Sequence, residues 1–217
     1  MTQVNIPILY SFRRCPYAMR ARMAILLNNI TVELREVVLR DKPPSLLCYS
    51  PKGTVPVLVD NGSVVDESRE IIDWSIAESK APVISPATEQ QQRLIDHNDN
   101  VFKSHLDKYK YFDRHPQYPQ SHYREQGEQF LAQLEEKLSN QPYLFGQHIS
   151  YADIAIFPFI RQFAGVENGW LAASRYRQVK RWLDGFLQSE AFKQTMKKFA
   201  KWQENDEAIF FPSITEK

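Results

Sequence analysis

The feature that most constrains the fold is a strand, a helix and a second strand that follow one another within the first 38 residues. Residues 6–12 are apolar and aromatic, which predicts a buried strand. Met19, Met23 and Leu26 recur at helical spacing and predict an amphipathic helix. Residues 31–38 are rich in β-branched side chains, as in a second strand. Because a helix connects them, the two strands should be parallel, with a right-handed crossover.

A cysteine lies at the point where the first strand passes into the helix. Pro16 follows Cys15 and suits the first position of a helix, which tolerates a missing N–H. The thiol would then lie beside unpaired N–H groups and the positive end of the helix dipole, which favour the reactive thiolate. Arg13 and Arg14 would add positive charge nearby. The pattern leaves two interpretations open, a reactive cysteine or a small apolar core residue.

A hairpin is predicted by Asn61-Gly62, which lies between two apolar runs and is typical of a two-residue type I′ turn. Its strands should cover about residues 57–59 and 63–65. Glu67-Ser68 then opens a helix that extends to about residue 78, with Ser68 as a suitable N-cap or first-turn residue. With a short irregular helix over 41–49, the predicted order is β-α-β-α-β-β-α.

Pro56 lies at the head of the third strand, immediately after a loop. This is a common position for a cis X–Pro bond, which would turn the backbone of Val55 outward to pair with an extended peptide. The alternative is an ordinary trans proline at the start of a strand. The cis form accounts for only about 5–6% of X–Pro bonds, so the pattern alone leaves both open.

The second half of the chain carries helical patterns only. Residues 80–87 hold two prolines and are the predicted linker between a domain over 1–79 and an all-helical bundle domain over 88–217. Ser150 and Asp153 form a near capping box at the start of an apolar helix. The other predicted helices cover 88–113, 120–139, 176–189 and 191–202, and the tail over 204–217 should be irregular.

The composition is that of an ordinary soluble globular chain. Lys and Arg number 27 against 26 Asp and Glu, so the charge favours neither a nucleic-acid nor a membrane partner. Two cysteines suggest no disulfide framework, and no metal-ligand spacing is present. No apolar run approaches the roughly 20 residues of a membrane span, and no signal pattern opens the chain. The expectation is a cytoplasmic protein without a metal.

In its order of motifs the chain resembles the glutathione transferases over nearly its whole length. The first half resembles their thioredoxin-fold domain, with an N-terminal cysteine, the Ser50-Pro51-x-Gly53-x-Val55-Pro56 loop and a Glu-Ser helix start. The second half resembles their helical domain, with Gly146 ahead of Ser150-x-x-Asp153. The Arg-Cys-Pro-Tyr-Ala segment is most similar to the cysteine-type group, the omega-like transferases and their bacterial relatives. It also resembles the Cys-Pro-Tyr-Cys of glutaredoxin, with Ala18 in place of the second cysteine.

The resemblance implies a role for Cys15 as the catalytic thiol that faces the glutathione sulfur. It also implies a cis Val55-Pro56 bond, with Val55 pairing with the cysteinyl backbone of glutathione. Glu67 would accept from the γ-glutamyl ammonium, and Ser68 would bind the neighbouring carboxylate at the helix N-terminus. Lys42 would pair with the glycine carboxylate of glutathione, a role for which Lys52 is a rival.

Ala18 narrows the chemistry that this resemblance implies. Without a second cysteine in the motif, Cys15 should act as a monothiol that takes a glutathionyl group and passes it to a second glutathione. The expected function is therefore a glutathione-dependent thiol transferase that acts on mixed disulfides or small oxidants, with glutathione as co-substrate. The alternatives are a non-catalytic glutathione-fold binding protein and a conjugating transferase that uses Ser11 or Tyr10 on an electrophile. The family is usually dimeric, so a homodimer is expected.

Three other groups of residues invite a functional reading. Cys48 could resolve a disulfide, but its apolar segment favours a buried structural cysteine. The aromatic cluster of Tyr109, Tyr111 and Phe112 could line a second-substrate pocket or simply pack inside the bundle. His97 and His105 lie two helical turns apart and lack a third metal ligand, so they are interpreted as surface or cleft residues.

Overall fold

The computed structural model describes residues 5–213 and divides the chain into two compact units. The first unit comprises residues up to Ile84 together with those from Glu190 onward, and the second is Ser85–Ser189. The predicted domains extended to residues 1–4 and 214–217, which lie outside the described range.

A five-stranded mixed sheet forms the centre of the first unit. In the order in which they lie side by side, its strands are β4 (Ser63–Val65), β3 (Val57–Asp60), β1 (Ile8–Ser11), β2 (Val32–Glu36) and β5 (Phe210–Phe211). β1 and β2 are parallel, and the other neighbouring strands are antiparallel. The parallel pair that the sequence predicted is therefore confirmed.

Helices complete both units in the predicted order, β-α-β-α-β-β-α followed by helices. The helices of the first unit are α1 (Pro16–Leu27), α2 (Pro44–Tyr49), α3 (Ser68–Glu78) and α10 (Glu190–Thr195). Those of the second unit are α4 (Glu89–His97), α5 (Lys103–Lys110), α6 (Gln120–Leu138), α7 (Tyr151–Ala164), α8 (Trp170–Ala173) and α9 (Arg177–Gln188). The fold class is the one expected, a thioredoxin-like α/β half followed by an all-helical half.

The core of the first unit has one apolar cluster on each face of the sheet. Successive residues of β1 point to opposite faces, so Leu9 joins one cluster and Tyr10 the other. The first cluster includes Ala21 and Ile25 of α1, and the second includes Leu46 of α2. β1 is thus the central strand on which both faces depend.

α1 is buried on nearly all sides, so the predicted amphipathic helix is wrong. The helix contacts both α3 and α10. Even Arg20 and Arg22 have no exposed surface. The prediction failed because the apolar spacing indicates only one buried face of the helix, whereas the C-terminal segment covers a second face.

The predicted hairpin is confirmed with its turn residues. Asn61 and Gly62 have φ values of 47° and 84°, and Asp60 pairs with Ser63. Positive φ at both central residues is what a type I′ turn requires, and glycine adopts it without steric cost.

The C-terminal segment differs most from expectation. The helix predicted over 191–202 ends at Thr195, and the chain then runs across the end of β2. There the Trp202 N–H donates to the Glu36 carbonyl at 2.9 Å, and β5 pairs with β2. Segment 190–213 therefore packs with the first unit and not with the helical domain to which its sequence assigns it. The open edge of β2 explains this, since an unpaired strand edge recruits any extended segment that reaches it.

The second unit is built around α7, whose residues from Tyr151 to Ile160 are all buried. The predicted capping box is present: the Asp153 N–H donates to Ser150 Oγ, and the Ser150 N–H donates to Asp153 Oδ2 at 2.9 Å. Asp153 Oδ1 also accepts from the Leu144 N–H at 3.0 Å and from Trp182 Nε1 at 2.8 Å. Burial raises the pKa of Asp153, and these hydrogen bonds oppose that shift. Asp153 therefore ties together the start of α7, α9 and the preceding loop.

The helical pattern predicted over 88–113 corresponds to α4 and α5 joined by a π-helical stretch at Asn98–Phe102. The helix ends at Lys110, and a short 3₁₀ turn over Phe112–Arg114 follows. No helix between Asn5 and Ser213 combines the length and the apolar character needed to cross a membrane.

The contact between α6 and α7 yields a stability prediction. A Cβ at Gly127 would lie 2.9 Å from Phe163 Cζ, and closer still to Cε2, on a ring that has no exposed surface. Gly127→Ala should therefore destabilise the protein by about 1–3 kcal/mol through overpacking. Gly185→Ala in α9 is the matched control, because a Cβ there would meet nothing within 4 Å beyond its chain neighbours and its own helix backbone, and alanine favours a helix. Urea unfolding should show a lower midpoint for the first variant only; equal midpoints would contradict this packing.

Candidate functional site

Cys15 occupies the turn between β1 and α1 that the sequence predicted. It is the N-cap of α1, with φ −73° and ψ 124°, and Pro16 is the first helical residue. Its N–H donates to the Phe12 carbonyl at 2.9 Å, and its carbonyl accepts from the Met19 N–H at 2.9 Å. The turn therefore holds the thiol at the positive end of a three-turn helix, where an anion is stabilised.

Val55 lies directly beside this thiol. Cys15 Sγ is 3.5 Å from the Val55 carbonyl oxygen, and Cys15 packs against the apolar cluster that includes Val55, Val57 and Tyr10. The Val55-Pro56 peptide bond is cis, as the resemblance implied. The structure thus brings together a thiol from the first turn and a backbone carbonyl from the loop before β3.

Glu67 and Ser68 begin α3, also as predicted. Glu67 is the N-cap and Ser68 the first helical residue. Ser68 is buried, and its Oγ lies 3.5 Å from Nη1 of the buried Arg20. A carboxylate that approached this point would meet a hydroxyl, helix N–H groups and a guanidinium charge behind them.

The two lysines that compete for one role lie in different surroundings. Lys52 Nζ donates to Glu67 at 3.1 Å and to Asp66 at 3.3 Å, and these two carboxylates raise the pKa of Lys52. Lys42 lies close to the loop, because a Cβ on Gly53 would lie 3.1 Å from Lys42 Nζ. Lys52 is therefore a neighbour of Glu67, and Lys42 is a neighbour of the loop at Gly53.

The two hydroxyls considered as alternatives to the thiol are fully buried. The Tyr10 hydroxyl donates to Ser45 Oγ at 2.9 Å and accepts from Arg35 Nη1 at 2.6 Å. Ser11 Oγ accepts from Arg22 Nε at 2.8 Å. Both hydroxyls therefore take part in hydrogen bonds inside the first unit.

Sequence reasoning missed three residues that surround the turn. Arg22 and Glu36 form an ion pair behind it, and Trp202 belongs to the apolar cluster on which Cys15 packs. One signal for Arg22 was present: from Ala18 to Ile25 the helix has only its two arginines as polar residues, so it offers almost no face to water. Trp202 had no such signal, because it lies in a segment without a clear period.

Cys48 is exposed, so its assignment as a buried structural cysteine is wrong. Leu46 is the one buried residue of α2. A side chain two positions further along a helix points about 200° away, which turns Cys48 toward solvent.

The aromatic and histidine residues of the second unit differ from one another in burial. Tyr109 is fully buried and donates its hydroxyl to Glu167 at 2.6 Å, whereas Tyr111 and Phe112 are exposed. Burial and then Glu167 raise the pKa of Tyr109. His97 packs edge-on against the Phe130 ring. Across residues 5–213, no three His, Cys, Asp or Glu side chains lie close enough together to hold a metal ion.

Comparison with family models relates both halves of the chain to one family. Residues 9–83 match the model of the glutathione S-transferase N-terminal domain. Residues 87–185 match that of the glutathione S-transferase C-terminal domain. The chain is 30% identical over 168 residues to glutathione S-transferase U22 of Arabidopsis thaliana, covering 74% of this chain and 75% of that protein.

Solved structures of the same fold are also similar. A glutathione transferase family member from Pseudomonas fluorescens, solved with two glutathione molecules bound, has a TM-score of 0.76 and 20% identity over 90% of this chain and 94% of its own. Glutathione transferase Omega 3C from Trametes versicolor has a TM-score of 0.74 and 19% identity over 91% and 92%. At such identities the likeness extends to the fold and leaves the subclass open.

Because Lys42 lies close to Gly53, alanine substitutions at Gly53 and Gly62 should lower the unfolding free energy by different amounts. Both Gly53 and Gly62 have positive φ, but only at Gly53 would a Cβ meet neighbours, Leu47 Cδ2 at 3.0 Å and Lys42 Nζ at 3.1 Å. Gly62→Ala should cost about 1 kcal/mol of unfolding free energy through its backbone alone. Gly53→Ala should cost more, because the loop or Lys42 must also move. Urea unfolding measures both, and a larger loss at Gly62 would contradict this arrangement.

Proposed function

Because the chain belongs to the glutathione S-transferase family, we propose that it is a glutathione-dependent thiol transferase with Cys15 as its catalytic thiol. One observation carries the proposal: the thiol is the N-cap of α1 and lies 3.5 Å from the Val55 carbonyl. A helix N-terminus stabilises a thiolate, and a thiolate is the attacking species in disulfide exchange.

Glutathione would bind along the loop and helix start beside that thiol. Val55 pairs with its cysteinyl backbone as one rung of a β-ladder. The N-terminus of α3, with the Ser68 hydroxyl and the guanidinium of Arg20 behind it, receives the γ-glutamyl carboxylate. Glu67 accepts from the γ-glutamyl ammonium, and Lys42 pairs with the glycine carboxylate. The placement of Lys52 on Asp66 and Glu67 favours Lys42 for that last role.

The reaction would run in two exchanges that conserve electrons. The Cys15 thiolate attacks the glutathionyl sulfur of a mixed disulfide, forms a new disulfide with it and releases the substrate as a thiolate, which takes a proton. A second glutathione thiolate then attacks the glutathionyl sulfur on Cys15. This step forms glutathione disulfide and returns Cys15 as a thiolate.

Burial of the two hydroxyls disfavours ordinary conjugation. A conjugating transferase needs a hydroxyl that donates to the glutathione thiolate at the site. Ser11 and Tyr10 have no exposed surface, and the hydroxyls already bond to Arg22, Arg35 and Ser45. Turnover of electrophiles should therefore be slow beside thiol transfer.

The same family membership supports two further parts of the proposal. We expect a homodimer, which light scattering after size-exclusion chromatography would test. We also expect a reducing, cytoplasmic setting, because a catalytic monothiol and an exposed Cys48 are kept reduced there.

Replacing the proposed catalytic thiol tests this function directly. Cys15→Ser should lower the rate of glutathione-coupled reduction of a mixed disulfide between glutathione and a small thiol at least about a hundredfold, because a serine hydroxyl is not a nucleophile at neutral pH. Cys48→Ser is the matched control and should keep the parent rate. The rate is followed by coupling glutathione disulfide formation to glutathione reductase and NADPH.

Three results would contradict the thiol-transfer proposal. Equal rates for Cys15→Ser and the parent would remove Cys15 from the chemistry. Conjugation of an aromatic halide that persists in Cys15→Ala but is lost in Ser11→Ala would instead assign the protein to the conjugating class. Glutathione binding without turnover of either substrate would assign it to the non-catalytic binders.

The proposed anion site at α3 generates a separate prediction. Ser68→Ala should raise the KM for glutathione roughly tenfold or more, because a hydrogen bond to a charged group contributes about 1.5–3 kcal/mol. Ser75→Ala is the control on the same helix; its hydroxyl donates to the Ile72 carbonyl at 2.7 Å and accepts from Asn28 at 2.9 Å. Ser75→Ala should lower stability and leave KM unchanged. An unchanged KM for Ser68→Ala would remove this residue from the site.

A further inference from the structure

Glu36 lies at the end of β2, opposite Ser11, the last residue of β1. Its side chain is only 11% exposed. The turn that carries Cys15 starts immediately after Ser11, so the carboxylate of Glu36 lies where the chain leaves the sheet. This carboxylate makes two different contacts.

One contact neutralises a buried charge. Arg22 has no exposed surface, and its Nη2 donates to Glu36 Oε2. The other donors of Arg22 reach Ser11 Oγ at 2.8 Å and the Thr195 carbonyl at 3.2 Å. Burial lowers the pKa of Arg22, and the attraction of Glu36 opposes that shift. A buried cation of this kind requires a matched anion.

The second contact reaches the turn itself. Glu36 Oε1 accepts from the backbone N–H of Arg13 at 2.8 Å. Phe12 and Arg13 lie between the end of β1 and Arg14-Cys15, and the same turn is closed by the Cys15 N–H on the Phe12 carbonyl. A charged acceptor makes a shorter and stronger bond to an amide than a neutral one does. Glu36 therefore ties the middle of the turn to β2.

The C-terminal segment adds to this attachment. The Glu36 carbonyl accepts from the Trp202 N–H at 2.9 Å, and Arg13 Nη1 lies 3.4 Å from the Met196 carbonyl. The backbone of Glu36 is thus held both by the sheet and by segment 190–213. The carboxylate has little freedom to leave the turn.

We infer that Glu36 is a positioning residue for Cys15: its largely buried carboxylate, held by Arg22, fixes the Arg13 amide and so keeps the thiol at the start of α1. The inference deepens the proposed function and rests on Cys15 being the reactive thiol. Glu36 does not touch the reacting atoms and acts through the turn.

If Glu36 had only a structural role, its carboxylate would neutralise Arg22 and nothing more. Shortening the side chain separates this role from the positioning of the turn. Glu36→Asp keeps the negative charge near Arg22 but removes one methylene, so a single carboxylate can no longer reach both Arg22 and the Arg13 N–H. Glu33→Asp is the matched control, on the same strand and similarly buried, with its carboxylate on Arg35 Nε at 2.7 Å. The control makes the same chemical change away from the turn.

The experiment measures the reactivity of the thiol as a function of pH. All variants are made in a Cys48→Ser background, so that iodoacetamide reports Cys15 alone. Glu36→Asp should slow alkylation at pH 7 by about three- to tenfold and move the pH midpoint upward, toward the ordinary cysteine value of about 8.5. Glu33→Asp should leave both unchanged. Equal alkylation profiles for the two variants would overturn the inference.

A measurement on the parent protein tests the inference even if Glu36→Asp fails to fold. Hydrogen exchange of the Arg13 amide, read by NMR, should be at least about tenfold slower than in an unstructured peptide, because the amide is bonded to a largely buried acceptor. Exchange as fast as in the peptide would overturn the inference.

Alkylation and exchange do not require turnover. If Cys15→Ser kept full thiol-transferase activity, the proposed function would fail while the alkylation profiles still reported on Glu36. If the profiles of Glu36→Asp and Glu33→Asp coincided while Cys15→Ser was inactive, only the positioning role would fail.

Discussion

Parallel pairing of β1 with β2 is the constraint from which the site follows. Two parallel strands cannot be joined by a tight turn, so α1 must cross the sheet before the chain returns as β2. The chain therefore leaves β1 at its carboxyl end, the end at which open α/β sheets bind ligands, and enters a helix there. Cys15 occupies that junction and lies against Val55 from the loop before β3. A thiol, a helix N-terminus and the loop before β3 meet because of the strand order.

Burial of α1 on almost every side has a second consequence. The helix carries Arg22 into the interior, where a positive charge must be matched, and the carboxylate that matches it stands at the end of β2. The same carboxylate reaches the turn before Cys15. One ion pair, Arg22 with Glu36, therefore neutralises the charge buried in the helix and also contacts the turn. The C-terminal segment packs against both of its residues.

Much of this arrangement was predictable because its causes are local. Asn61-Gly62 specifies its own turn, Pro16 suits the first residue of a helix, and Ser150 with Asp153 caps another. The cis bond before Pro56 needed more than local chemistry, since base rates oppose it, and the family resemblance supplied what was missing.

The features that escaped prediction depend on contacts distant in sequence. The pairing of β5 with β2, the extended path beyond Thr195 and the burial of Arg22 all require the C-terminal segment to return to the first unit. The exposure of Cys48 depends on which face of a six-residue helix packs down, and its apolar neighbours did not reveal this.

The central claim is that Cys15 forms a covalent intermediate with the glutathionyl group. The most direct measurement mixes the protein with a glutathionylated peptide in the absence of free glutathione, quenches with acid and locates the modified peptide by mass spectrometry. The account predicts one glutathionyl group per chain, on the peptide that contains Cys15, and its loss when glutathione is added. Release of the substrate thiol with no glutathionyl group on Cys15, or with the group on Cys48, would contradict it.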